Sequence, residues 1–226
     1  MTLVTENFRK IQDLLAKAAV DAGRSPDEIL LLAVSKKKPA EAVLEAYAAG
    51  QRDFGENFVQ EGLEKIAAVA KNDVFWHFVG HVQANKTRPV AQNFHWVHTV
   101  DRLKIARRLS QQRPDDAAPL NVCIEVNIDE EPSKSGVTPG EVAELAAAVA
   151  ELPRLCLRGL MCLPAIREDF EEQRRPFARL REIRDSLNRS GLSLDTLSMG
   201  MTADYAAAIH EGATIVRIGT AIFGAR

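Results

Sequence analysis

The chain has 226 residues, 46% of them apolar and 27% charged, and a formal net charge of -2. That length suits one α/β domain with a sizeable core. The near-neutral charge excludes a general attraction to nucleic acid or to a membrane surface, and no apolar run approaches the ~20 residues that a membrane-spanning helix needs.

The chain opens on "MTLVTENFRKIQDLLAKAAVDAGR", where Val4, Phe8, Ile11, Leu15 and Ala18 recur at helical spacing with charges between them. This predicts an amphipathic helix packed on the body, not a signal peptide. From residue 29, apolar strand-like runs alternate with helical patterns. Strands are expected at 29–35, 52–56, 74–80, 95–100, 121–127, 155–162, 196–200 and 214–219. Helices are expected at 39–49, 57–71, 83–92, 102–112, 139–151, 168–189, 202–211 and, after the last strand, 219–224. Several strands are apolar almost throughout, so both faces are covered, as in a parallel sheet. Eight such units predict a (β/α)8 barrel, a TIM barrel, with the doubly wound open sheet as its main rival. No linker or low-complexity tract interrupts residues 1–226, so a single domain is expected. In the long helix, Phe170, Phe177, Leu180, Ile183 and Leu187 are the expected buried stripe, and Pro176 marks a kink or the true start.

Three cysteines, Cys123, Cys156 and Cys162, form no CxxC pair and sit in or beside apolar strands. They read as reduced core thiols of a cytoplasmic protein. His77 and His81 lie in a strand and its following loop, which lacks the one-face geometry of a helical metal motif, so no metal site is expected. His95 and His98 read as core or rim residues. "RLKIARRL" reads as a solvated helix face and not a nucleic-acid patch.

In a barrel of this class the active site lies at the C-terminal ends of the strands. Strand one exits into Lys36, Lys37 and Lys38; strand two into Glu56 and Asn57; strand three into His81, Gln83, Asn85 and Lys86. Strand five exits into Asn127, Lys134 and Ser135, and strand six into "GLMCLP" with Met161. After strand seven comes "SMGMT", with Thr202 as an expected N-cap and Asp204 in the first turn. After strand eight comes Gly219-Thr220. Backbone N–H groups at helix starts bind anions, and the loops after strands seven and eight of such barrels often form a phosphate site. Ser198, Gly200, Gly219 and Thr220 fall at those places.

A lysine at a barrel mouth, beside other cations, forms Schiff bases with carbonyls. Alternation puts Lys36 and Lys38 on one face and Lys37 on the other, and does not choose between the first two. Arg217 interrupts the apolar run "TIVRIG". It reads either as a salt bridge to Glu125 or as a cation presented to a ligand.

The segments "LLAVSKKKP", "FGENFVQE", "WHFVGHVQANK", "NIDEEPSKSG", "RGLMCLP", "LSMGMTADYAAAI" and "VRIGTAIFGAR" resemble the pyridoxal phosphate homeostasis protein family. The resemblance covers about residues 30 to 226. It implies an alanine racemase N-terminal-type barrel, without that enzyme's second domain, that binds pyridoxal 5'-phosphate (PLP). It implies Lys36 as the Schiff-base lysine and Ser198, Met199, Gly200, Gly219 and Thr220 around the phosphate. Arg217 would face the pyridine nitrogen, and Asn57 and Met161 would line the ring pocket. Lys134 matches a family lysine, its role left open. Lys37 stands where relatives carry a small polar residue, and adds a cation near the imine. The implied function is intracellular PLP homeostasis (storage, delivery or buffering) by a monomer without robust catalytic activity, with PLP-dependent apoenzymes as partners. Two enzyme readings stay open: a PLP-dependent amino-acid racemase using water or Lys134 as its second base, and a cofactor-free lysine aldolase acting on a sugar phosphate. Tyr47 and Tyr205 fall in predicted helices and read as packing.

Overall fold

The computed structural model describes residues 2–224; Ala225 and Arg226, the end of "VRIGTAIFGAR", lie outside the described residues. Phe8, Ile11, Leu15 and Ala19 are the buried stripe of α1 (Leu3–Asp21). This is the expected stripe, except that Ala19 is buried where Ala18 and Val4 are only partly so. Burying each large member contributes about 1.5–3 kcal/mol.

Strands and helices then alternate: β1 (Leu30–Val34), α2 (Ala40–Ala48), β2 (Asp53–Glu56), α3 (Val59–Val69), β3 (Phe75–Phe78), α4 (Thr87–Asn93), β4 (Trp96–Val100), α5 (Leu103–Gln112). The second half follows with β5 (Leu120–Val126), α6 (Val142–Ala150), β6 (Leu155–Cys162), α7 (Phe170–Arg189), β7 (Thr196–Ser198), α8 (Tyr205–His210), β8 (Ile215–Ile218) and α9 (Thr220–Phe223). The strands pair in chain order and close into a barrel. Closure is made by parallel pairing of β8 on β1, with Leu30 opposite Ile215 and Ala33 opposite Ile218. This is the (β/α)8 architecture that the eight apolar runs predict, and the open-sheet rival is excluded.

Local departures have local causes. β7 ends at Ser198, because the next residues turn: Gly200 has φ +93°, and a Cβ there would meet Ala208 Cβ at 2.6 Å. α8 starts at Tyr205, not at residue 202. Asp204, not Thr202, sits at the cap position and accepts a hydrogen bond from Met201 N at 2.6 Å. α7 runs unbroken through Pro176 from its cap at Asp169, whose side chain accepts from Glu172 N. Pro176 therefore does not mark the start of the helix. Phe177, Leu180 and Leu187 are buried as expected, but Phe170, the first residue of α7, is exposed and packs edge-on against His210. Cys123 and Cys162 are buried thiols, pushed up to about 12 by that burial. Cys156 is exposed. It lies on the part of β6 that precedes the β7 pairing, which begins at Gly159 opposite Thr196.

Candidate functional site

A cavity of about 630 Å³ opens at the C-terminal ends of the strands, within the usual size of small-molecule sites. Lys36 and Lys38 after β1, Asn57 after β2, Met161 on β6, Arg217 on β8, and Gly219 and Thr220 beyond it all line this cavity. Six of the nine expected site residues are thus brought together: Lys36, Asn57, Met161, Arg217, Gly219 and Thr220. Ser198, Met199 and Gly200 are not on the wall. Ser198 and Met199 are fully buried behind it, and Gly200 makes the turn. Thr202, expected as a cap, is on the wall instead, beside Met201. Of the other strand exits, His81, Asn127, Lys134 and Ser135 line the cavity, whereas Gln83 and Lys86 line a smaller adjoining pocket.

A tight turn presents Lys36. Lys38 N donates to Ser35 O at 3.0 Å, and Lys37 takes a left-handed φ of +61°. Lys37 is exposed and absent from the cavity wall. The turn is tied from below by a buried ionic cluster. Lys65 of α3 donates to Ser35 O at 2.6 Å, and to carboxylate oxygens of Glu56 and Glu61 at 2.7 Å each. Ser35 Oγ donates to Glu56 at 2.5 Å, and the backbone N–H of Lys37 donates to Glu61. Burial raises the Glu56 carboxyl, against the pull of Lys65 and Ser35. Glu56 thus turns under the mouth, not into it.

Arg217 is buried with its guanidinium fixed. Nη1 donates to Ser198 O at 2.5 Å and Ser198 Oγ at 2.8 Å, and Nη2 donates to Cys162 O at 2.9 Å. No ion pair joins it to Glu125 among the described residues, so the salt-bridge reading is replaced by one of main-chain and hydroxyl acceptors. Glu125 lines the cavity across from Met161 of β6. Its Oε2 is buried without a hydrogen-bond partner, as is Asn57 Oδ1. Burial, then the Asp101 carboxylate, push the Glu125 carboxyl up to about 7, opposed by Arg217. Four basic side chains, Lys36, Lys38, Lys134 and Arg217, therefore face one weakened carboxyl among the described lining residues. Such a wall favours an anionic ligand. Lys134 is held by Glu131 at 2.6 Å and by Leu163 O at 3.1 Å.

Alternation explains part of this wall and fails elsewhere. Thr99 lines the cavity although His98, one residue earlier, also points inward. The β4–β5 ladder shifts register between Val97 and Val100, and the shift permits both. Gly219 is required by close approach: a Cβ there would lie 3.0 Å from Val34 O of β1. Tyr47 bonds Asp73 outside the cavity, and Tyr205 opens α8; neither lines the site.

The model of the alanine racemase N-terminal domain matches residues 5–226. The pyridoxal phosphate homeostasis protein of Pseudomonas aeruginosa is 57% identical over 226 residues, covering all of this chain and 97% of that protein. The one from Escherichia coli K12 is 52% identical over 229 residues, covering 100% and 98%. Among solved structures, PipY of Synechococcus elongatus with PLP bound matches with a TM-score of 0.83 and 36% identity, over 93% of this chain and 100% of that one. Alanine racemase from Corynebacterium glutamicum shares the fold, with a TM-score of 0.74 at 17% identity, over 97% of this chain and 59% of that one.

Proposed function

We propose that this chain, which belongs to the alanine racemase N-terminal domain family and has the pyridoxal phosphate homeostasis proteins as its full-length relatives, binds PLP at the barrel mouth and serves its homeostasis. The observation that carries this reading is the joint presence of a lysine amine, Lys36, and a fixed guanidinium, Arg217, on the wall of one cationic cavity. Two unpartnered buried acceptors on that wall, Asn57 Oδ1 and Glu125 Oε2, fit a site completed by a polar ligand.

When bound, PLP supplies an aldehyde that condenses reversibly with amines. In this reading Lys36 holds it as a Schiff base, and the turn tied by Lys65 and Glu61 aims that amine. Gly219, Thr220 and Thr202 receive the phosphate. Ser198, Met199 and Gly200 support them from behind the wall. Asn57 and Met161 flank the ring. Arg217 faces the ring nitrogen and, as a permanent cation, opposes protonation there. An unprotonated ring is a weak electron sink, so the site favours capture and release over turnover at Cα. The reading includes a monomer that passes PLP to PLP-dependent apoenzymes.

The test is spectroscopic. The purified protein mixed with PLP should turn yellow, and borohydride reduction should fix the label on the Lys36 peptide. Lys36→Ala should lose both signals. Label on Lys38 or Lys134 in the unaltered chain would overturn the assignment. The loaded protein should leave the Cα proton of L-alanine unexchanged in heavy water and sediment as a monomer; sustained exchange would favour a racemase.

A further inference from the structure

Behind Arg217 a line of hydrogen bonds crosses the barrel interior. Asp53, the first residue of β2, lies 3.0 Å from His77 Nε2. His77 Nδ1 lies 2.9 Å from His98 Nε2, and His98 Nδ1 lies 2.8 Å from Ser198 Oγ. Ser198 Oγ accepts from Arg217 Nη1 at 2.8 Å. His77, His98 and Ser198 are fully buried, and the Asp53 side chain is 21% exposed. Five strands, β2, β3, β4, β7 and β8, contribute one residue each.

The chemistry of the two ends fixes every proton between them. A carboxylate only accepts and a guanidinium only donates. Asp53 therefore requires the proton on His77 Nε2. Burial holds both imidazoles below their ordinary range, His98 well below it, so each carries one proton. His77 Nδ1 is then an acceptor, and His98 must donate from Nε2. His98 Nδ1 is then an acceptor in turn, and the Ser198 hydroxyl donates to it. That leaves the Ser198 lone pairs for Arg217. All four bonds point one way, from Arg217 toward Asp53.

We propose that Asp53, His77, His98 and Ser198 form a one-directional hydrogen-bonded relay that positions the Arg217 guanidinium at the cavity wall. These are positioning residues, since none of the four lines the cavity. Two of the acceptors on Arg217 are main-chain carbonyls, fixed by the sheet. The third, Ser198 Oγ, is a rotor, and His98 sets its direction. Without that setting, the hydroxyl and the guanidinium bond that it receives lose a fixed geometry. What Arg217 meets in the cavity rests on the PLP reading above; the relay itself does not.

Nitrogen-15 NMR of the imidazoles in the cofactor-free protein tests the relay directly. Both His77 and His98 should be neutral with the proton on Nε2. A proton on Nδ1 of either, or a cationic ring at neutral pH, would overturn the proposal. Two variants then test its consequence. His98→Leu removes the acceptor for Ser198; His98→Asn keeps an acceptor oxygen near the place of Nδ1. Using PLP labelled with nitrogen-15 in its ring, His98→Leu should bind about tenfold more weakly, the worth of one charge-assisted hydrogen bond, and should shift the ring-nitrogen resonance. His98→Asn should restore most of both. Equal behaviour of the two variants, or a Leu variant that matches the unaltered chain, would overturn the role. If the unaltered chain takes up no PLP, the cofactor reading fails, while the imidazole spectra still decide the relay.

Discussion

Glu125 combines near-complete burial with a carboxyl oxygen that the protein leaves unpartnered. Its proton is held more tightly in the folded chain than in the unfolded one, with the midpoint raised from 4.5 to about 7. The stability tied to that proton is complete below about pH 4.5 and is lost as pH rises through 7. Glu125→Gln removes the titration and should raise the free energy of unfolding at pH 8 by about 3 kcal/mol, since each tenfold gain in proton affinity corresponds to about 1.4 kcal/mol. It should do little at pH 4. Urea unfolding at the two pH values checks this, and an equal effect at both would sink it. Single-residue chemistry was partly legible in the sequence. Arg217 stands out because a cation interrupts an apolar run, whereas the run that ends in Lys36, Lys37 and Lys38 marks an amine without choosing Lys36, which only the family resemblance singles out. Glu125 was visible only as a mate for Arg217, because pairing across a barrel depends on side-chain direction. The inward pairing of His77 with His98 was hidden for the same reason.

At the scale of elements, the turn after β1 and helix α3 act as a unit. Lys65 looks like one more charge on an amphipathic helix in "EGLEKIAAV", yet only 4% of it is exposed and it anchors Ser35, Glu56 and Glu61 together. Lys65→Met should destabilise the fold by about 3–5 kcal/mol, because it strands the Glu56 carboxylate in the interior. Joint replacement by Lys65→Met and Glu56→Leu should recover much of the loss. Thermal or urea unfolding of the single and double variants measures this. A double variant as unstable as the sum of two separate losses would refute the account. The extent of each element was well read from apolar runs and turn residues. Where the reading slipped, at the start of α8 and through Pro176, local polar contacts decided the boundary: Asp169 caps α7 by accepting from Glu172 N, and Asp204 holds the turn before α8 by accepting from Met201 N. A periodic pattern does not say which of several polar neighbours caps a helix.

For the whole molecule, the barrel was legible because parallel strands covered on both faces leave nearly unbroken apolar runs. The cavity wall was less so, since turns and the β4–β5 slip reset which residues face inward. The two buried imidazoles also set a global acid response. Burial depresses both, so their contribution is complete above about pH 6.5 and is lost as pH falls. Below neutrality they therefore oppose Glu125.

Closure of β8 on β1 and the seating of α1 against α9, where Asn7 Nδ2 donates to Ile222 O at 3.1 Å, join the two extremes of the described chain. During synthesis on the ribosome, β1 emerges about 185 residues before the strand that completes its edge, a separation long enough to slow assembly. A nascent chain arrested before residue 215 leaves that edge exposed, so protection from proteases should arrive in one late step as β8 and α9 clear the exit tunnel. Gradual protection from the first strands onward would contradict this order of assembly.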